Sequence, residues 1–204
     1  MFSATGPLYR LGTLIYKYLT LNVLFLAFCI PVVTIPAATA GLFAVARKIV
    51  YEKEPFILRE FMRGFRKNFK QSLIVGLVTL IVAVFLWMDY RATHLVLGGL
   101  LMCVWAVAMF IVLAIFVNVY PLMVHMHLTI KHILLNSVKI SMIKPFLSIS
   151  IVVLTLGFLF LAYIIPILFF TFFFSVLSTT IYYLVNKKFE VLEIASARDA
   201  REDG

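Results

Sequence analysis

Long apolar runs, joined alternately by basic and by nearly uncharged connections, constrain this chain more than any other feature. Five such runs stand at about residues 11–33, 72–90, 95–120, 146–165 and 167–185. As helices rising ~1.5 Å per residue, each reaches across most of a hydrocarbon core ~30 Å thick. Only helices and closed barrels satisfy their backbone polar groups in lipid. Runs this continuous lack the residue-by-residue alternation of barrel strands. Composition agrees, with 64% hydrophobic residues, 13% charged and a mean hydropathy of +1.08. A soluble domain carries about half and a quarter. An ordinary soluble enzyme, a disordered tail and a disulfide-stapled secreted domain are thereby excluded. The expected fold is all-α: a polytopic membrane helical bundle of about five transmembrane helices, with amphipathic helices on the cytoplasmic side. One domain is expected over 1–187, followed by a charged tail over 188–204.

Charge supplies the topology. Eighteen Lys and Arg stand against nine Asp and Glu, a formal +9. In a membrane protein this excess points to orientation and anionic lipid rather than to nucleic acid, because basic residues accumulate in cytoplasmic connections. Arg47, Lys48, Lys53, Arg59, Arg63, Arg66, Lys67 and Lys70 lie between the first two runs, and Lys131, Lys139 and Lys144 between the third and fourth. The second connection holds only Arg91 and the Pro166 joint holds none. The first and third connections and the C-terminus are therefore expected in the cytoplasm, and five crossings place the N-terminus outside. Arg10, Lys17, Pro31 and Pro36 support another arrangement, with residues 8–18 lying in the interface, a broken hairpin across 19–50 and the N-terminus inside. On the five-crossing reading, residues 36–51 form a helix near or partly re-entering the cytoplasmic boundary. Leu21–Val33 followed by Ala38-Thr39-Ala40 imitates a signal peptide, but the basic segment before Leu11 holds only Arg10, so the run is read as a span.

Two connections carry helical periodicity. Ile57, Phe61, Phe65 and Phe69 recur every fourth residue, with Arg59, Arg63, Arg66 and Lys70 opposite. Residues 56–71 are thus expected as an interfacial helix, aromatic face in the acyl boundary and basic face toward phosphate. Arg59, Phe61, Arg63, Phe65, Arg66, Asn68, Phe69 and Lys70 are its lipid- or partner-docking candidates. Residues 129–144 form a weaker case, with Thr129, His132, Asn136 and Lys139 polar and Leu134, Leu135, Val138 and Met142 apolar. The order of basic helix, span, outer turn and span occurs twice, as in a degenerate repeat.

No catalytic pattern emerges. Ion-coupled transporters need ionisable groups in mid-membrane, yet no Asp or Glu occurs from Tyr90 to Phe189, and Asp89 stands at a helix end beside Arg91. His125, His127 and His132 are spaced two and five apart, not the i, i+4 of two ligands on one helical face, and no acid or thiol stands near. Cys29 and Cys103 lie in apolar runs as packing residues. Ser148 has Lys144 one turn before it, but that lysine is placed to snorkel. Nothing resembles a phosphate-binding glycine loop. No cofactor, metal ligand or catalytic residue is assigned, and the chain is expected not to be an enzyme.

The helix break differs. Pro31-Val-Val-Thr34-Ile-Pro36-Ala-Ala-Thr39-Ala-Gly41 frees carbonyls, supplies hydroxyls to re-satisfy them and offers small residues for close helix contact. Asn22, Pro31, Thr34, Pro36 and Thr39 form a candidate functional site. The order Asn22, Pro31-Val-Val-Thr34-Ile-Pro36-Ala-Ala-Thr39-Ala-Gly-Leu42, then Phe61-x-x-x-Phe65-Arg-Lys-Asn68-Phe69-Lys-Gln71-Ser, resembles the YesL-type family of bacterial membrane proteins of unknown function. The resemblance implies a setting beside carbohydrate ABC importers and no catalytic residue. The expected function is a non-enzymatic integral membrane accessory protein of oligosaccharide ABC import. Its partners would be the anionic bilayer and, through the basic helices, permease subunits. The alternative is a small stand-alone transporter or channel for a polar solute, with a cavity lined by Asn22, Thr34, Thr39 or Asn118.

Overall fold

A computed structural model describes residues 7–51, 56–96, 99–126, 129–143 and 145–202. Within them the chain is an all-α bundle. Helix α1 covers Pro7–Cys29, and a 3₁₀ turn at Val32–Thr34 leads into α2, Ile35–Tyr51. Then come α3 (Ile57–Val96), α4 (Gly99–His125), α5 (Ile130–Ile143) and α6 (Pro145–Ile164). A short α7 (Pro166–Leu168) passes through a wide π turn, Phe169–Phe173, into α8 (Phe174–Glu202). Proline marks four of these starts, beginning with Pro7 of α1. Pro36, Pro145 and Pro166 each stand in a first turn, where the missing N–H has no helical partner to lose.

Five helical stretches are long and apolar enough to cross a membrane: Leu11–Cys29, Val32–Tyr51, Ile57–Arg91, Cys103–His125 and Pro145–Ile164. The chain is thus a polytopic membrane bundle, as expected, but the stretches are drawn differently. Residues 36–51 are the middle of the molecule rather than a segment at its edge. Ala37, Ala38, Ala40, Gly41, Leu42, Phe43, Val45 and Ala46 are all buried, on every side of α2. One face meets Leu21 and Phe25 of α1 and Ile57 and Phe61 of α3. The other meets Val119, Leu122 and Met123 of α4 and Ile181, Tyr182 and Val185 of α8. A helix enclosed all round must be apolar and small all round. Its weak hydropathy reflects alanine and glycine, not exposure.

Residues 19–50 take the hairpin arrangement, with Pro31–Thr34 as its tip, but residues 8–18 are not a separate interfacial segment and belong to the continuous α1. Thr13–Thr20 of α1 and Phe56–Met62 at the start of α3 line one groove. The beginnings of α1 and α3 therefore lie at the same level of the bundle.

The 56–71 segment is not a separate interfacial helix. It opens the 40-residue α3, about 60 Å long, and continues unbroken into the span. Its aromatic face meets protein instead of acyl chains. Phe61 is fully buried, and Phe28 of α1 packs against Phe61 and Phe65 with ring centroids 5.3 and 5.1 Å away. The periodicity identified the buried face correctly, but α1 and α2 occupy the place assigned to lipid. In α5 the buried stripe is Ile133, Ser137 and Ile140, while Leu135, Val138 and Met142 are exposed. The expected apolar face is therefore rotated. Unlike α3, this helix is broken from the next span, at Pro145.

Candidate functional site

Three features of the bundle hold polar chemistry, apart from the π turn. The first is the predicted break. Thr34 donates to the carbonyls of Phe28 and Pro31 at 2.5 and 2.7 Å, and Thr39 donates to that of Ile35 at 2.8 Å. The Thr34 hydroxyl thus meets carbonyls at the break, as the sequence implied, while the Thr39 bond is an i to i−4 contact within α2. Pro31, Val32 and Val33 are exposed at the tip.

Asn22 belongs to a different feature. Fully buried on α1, it donates from Nδ2 to the Phe170 carbonyl at 2.7 Å. Its Oδ1 accepts from the N–H groups of Phe174 and Ser175 at 2.9 and 3.3 Å. Those groups flank the π turn, where the i to i−4 pattern lapses and backbone polar atoms need other partners. One side chain therefore replaces the helical bonding of α8 and ties it to α1. The four residues named for a polar cavity are dispersed: Asn22 at the π turn, Thr34 at the tip, Thr39 on its own backbone and Asn118 against Lys188. Neither the α1–α3 groove nor a smaller cavity beside Phe158 and Phe173 is lined by any of them.

The second feature escaped sequence reasoning. Lys188 of α8 is completely buried between α4 and α6. Its Nζ donates to Ser148 Oγ at 2.7 Å and lies 3.5 Å from Asn118 Oδ1. Ser148 in turn donates to the Ser141 carbonyl at 3.0 Å, so its own proton is directed away from the amine. The lysine beside Ser148 is thus Lys188, forty residues away, while Lys144 lies outside the described residues. Lys188 stands past the apolar run 167–185, and burial pulls its ammonium down to about 8. Taken as the start of a charged tail, it escaped notice. The signal was the stripe Ser178, Ile181, Val185 and Lys188, at helical spacing on one buried face, with Lys187 off it and exposed.

Beside this lysine, His125 Nδ1 lies 2.9 Å from the Tyr182 hydroxyl and its ring stacks on Phe189 at 4.3 Å. Tyr51 donates to Asn186 Oδ1, and Arg47 Nη1 donates to the Val124 carbonyl at 2.7 Å. These contacts bind the C-terminal ends of α2 and α4 to the middle of α8. His132 is exposed and His127 lies outside the described residues. No group of three or more metal-ligating side chains occurs among the described residues. Cys29 and Cys103 are free thiols.

The third feature is the outer side of the α3 stem. Arg59, Arg63, Arg66, Lys67 and Lys70 are all exposed. Glu60 pairs with Arg63 at 2.7 Å. Of the eight predicted docking residues, the four cations lie on this open face. Phe61 and Asn68 are internal, Asn68 donating to the Gly64 carbonyl at 3.0 Å, and Phe65 and Phe69 are half-buried. The sequence had grouped the anchor and the presented surface together.

A family model described as a protein of unknown function, DUF624, matches residues 18–90. The match takes in the second half of α1, the tip, α2 and most of α3, and is consistent at family level with the YesL-type resemblance. No curated protein and no solved structure matches the chain.

Proposed function

We propose that this protein is a non-enzymatic accessory subunit whose basic stem docks onto the cytoplasmic side of a carbohydrate ABC permease. The observation that carries the reading is the division of labour along residues 56–71. The aromatic side is consumed in holding α3 to α1 and α2, so Arg59, Arg63, Arg66, Lys67 and Lys70 stand on a rigid helix as an exposed cationic row. A row of fixed charges on a packed support steers and orients an acidic partner surface. The carbohydrate setting comes from the family resemblance.

The test is co-purification from the native membrane in mild detergent, with the uptake of oligosaccharide measured in a deletion strain. The expected result is retention of permease subunits by the wild type. Arg63→Glu/Arg66→Glu should lose that retention, and deletion should slow uptake. A tagged protein that retains no permease, with uptake unchanged on deletion, overturns the proposal.

A further inference from the structure

We propose that Lys188 and Ser148 form a proton-operated latch: the charged lysine holds the Ser148 hydroxyl on the end of α5, and the neutral lysine takes that hydroxyl and releases α5 from α6. The latch is independent of the accessory role. It begins at the break between the two helices. Ser141 stands in the last turn of α5, which ends at Ile143, where carbonyls lack a partner within the helix. In a continued helix its carbonyl would accept from residue 145, but that residue is Pro145 and has no N–H. Ser148 supplies the missing donor, its hydroxyl reaching the Ser141 carbonyl at 3.0 Å.

Lys188 decides where that hydroxyl points. An ammonium has three donors and no acceptor. Its 2.7 Å contact with Ser148 therefore runs from Nζ to Oγ, which turns the serine proton toward Ser141. A neutral amine has a lone pair that needs a donor. Within reach of Nζ are Ser148 Oγ and, at 3.5 Å, Asn118 Oδ1. The Asn118 amide nitrogen is engaged at the Ala114 carbonyl, so the Ser148 hydroxyl is the donor that can turn. When Nζ gives up its proton to water, the serine proton swings from the Ser141 carbonyl to the lone pair, and α5 loses its cap.

The surroundings suit this exchange. Lys188, Asn118 and Ser148 are all buried, so bulk water is not at hand to replace a lost partner. Burial pulls the ammonium down to about 8. Around it, Arg47 and Tyr51 of α2 are engaged at the Val124 carbonyl and Asn186, and His125 of α4 meets Tyr182. Tyr120 of α4 stacks on Phe43. Lys131, His132 and Lys139 of α5 and Lys187 of α8 are exposed. Helix α6 has no ionisable residue before Tyr163. Glu190 and Glu193 stand two and five positions beyond Lys188, off its helical face. Of the acids with described side chains, Glu60 pairs with Arg63 and Asp89 stands near the far end of α3.

The experiment is electron paramagnetic resonance of a nitroxide at the exposed end of α5, on Met142→Cys, in the full chain carrying Cys29→Ala and Cys103→Ala in lipid nanodiscs. From pH 7 to pH 9.5 the ratio of mobile to immobile label should rise roughly three- to tenfold, the effect of one hydrogen bond. Its midpoint should lie close to about 8. The two partners should fix opposite states. Lys188→Met has no lone pair to offer, so Ser148 stays on Ser141 and the label stays immobile at every pH. Ser148→Ala has no hydroxyl, so the label is mobile at every pH. Ser148→Thr and Lys187→Met should keep the transition. A mobility that does not change with pH in the otherwise wild-type chain overturns the latch. So does a transition that survives in Lys188→Met, or an immobile label in Ser148→Ala.

Discussion

Two buried polar side chains show how much one residue can carry when water is absent. Asn22 satisfies three backbone groups around the π turn. A leucine there would fill similar space and leave those groups without partners, each at a cost of about 1–3 kcal/mol. Asn22→Leu is therefore expected to lower stability by roughly 3 kcal/mol or more, measured by reversible unfolding in mixed micelles; a change below about 1 kcal/mol would show that the turn satisfies itself. Lys188 gives a pH signature. Its ordinary pKa of 10.5 falls to about 8 in the fold. Below about 8 both states carry the charge, and the folded state bears the full cost of burying it. Between about 8 and 10.5 the unfolded chain binds more protons, so stability rises with pH. The thermal midpoint in detergent should climb from pH 7 to pH 9.5, and Lys188→Met should remove that climb. Asn22 was conspicuous in the sequence but its partner was not, because 148 residues separate it from Phe170.

Among the elements, the pair α2–α3 holds the closest approach. A Cβ added at Gly64 would lie 2.3 Å from the Ala44 Cβ, and one at Gly76 would lie 2.3 Å from Pro36 Cγ. Gly64 faces Ala44 while Gly76 faces Pro36, so the two helices run antiparallel. In lipid no hydrophobic force drives helices together, and small residues act by letting backbones approach. Gly64→Ala and Gly76→Ala are each expected to destabilise by about 1–3 kcal/mol. Gly12→Ala and Gly157→Ala have nothing within 4 Å of the new atom and should be silent in the same unfolding assay. A seam of this kind was legible on the 37–41 side, where the run of small residues announced it. Its partner was hidden because Gly64 sits in a segment whose aromatic and basic periodicity dominated the reading, and Gly76 is a single glycine within an apolar run.

The whole molecule raises the question of orientation. The shared groove sets the starts of α1 and α3 at one level, and the hairpin of α1 and α2 makes two passes where the five-span reading made one. Adding the apolar run 167–185, helical from Pro166 through the π turn into α8, gives an even number of crossings. On that count the start of α1 and the end of α8 are expected on the side of the basic connections, with Arg91 opposite. In a variant lacking Cys29 and Cys103, single cysteines at Arg10 and Arg201 are expected to resist a membrane-impermeant maleimide in intact cells, while one at Thr93 reacts. Labelling at Arg10 would restore the odd-numbered arrangement with an outer N-terminus.

The amino-acid sequence by itself determined that this chain is a membrane-embedded all-α bundle and which side of residues 56–71 is buried. Those properties follow from local composition and period, because lipid requires each crossing segment to satisfy its own backbone. The tertiary structure decided what each buried face meets. It enclosed the weakly apolar α2, set Phe61 on α1 and α2, brought Lys188 to Ser148 and Asn118, and gave Asn22 the broken turn of a helix far along the chain. Those pairings depend on which helices become neighbours, and hydropathy reports only that a side chain avoids water, not what replaces the water.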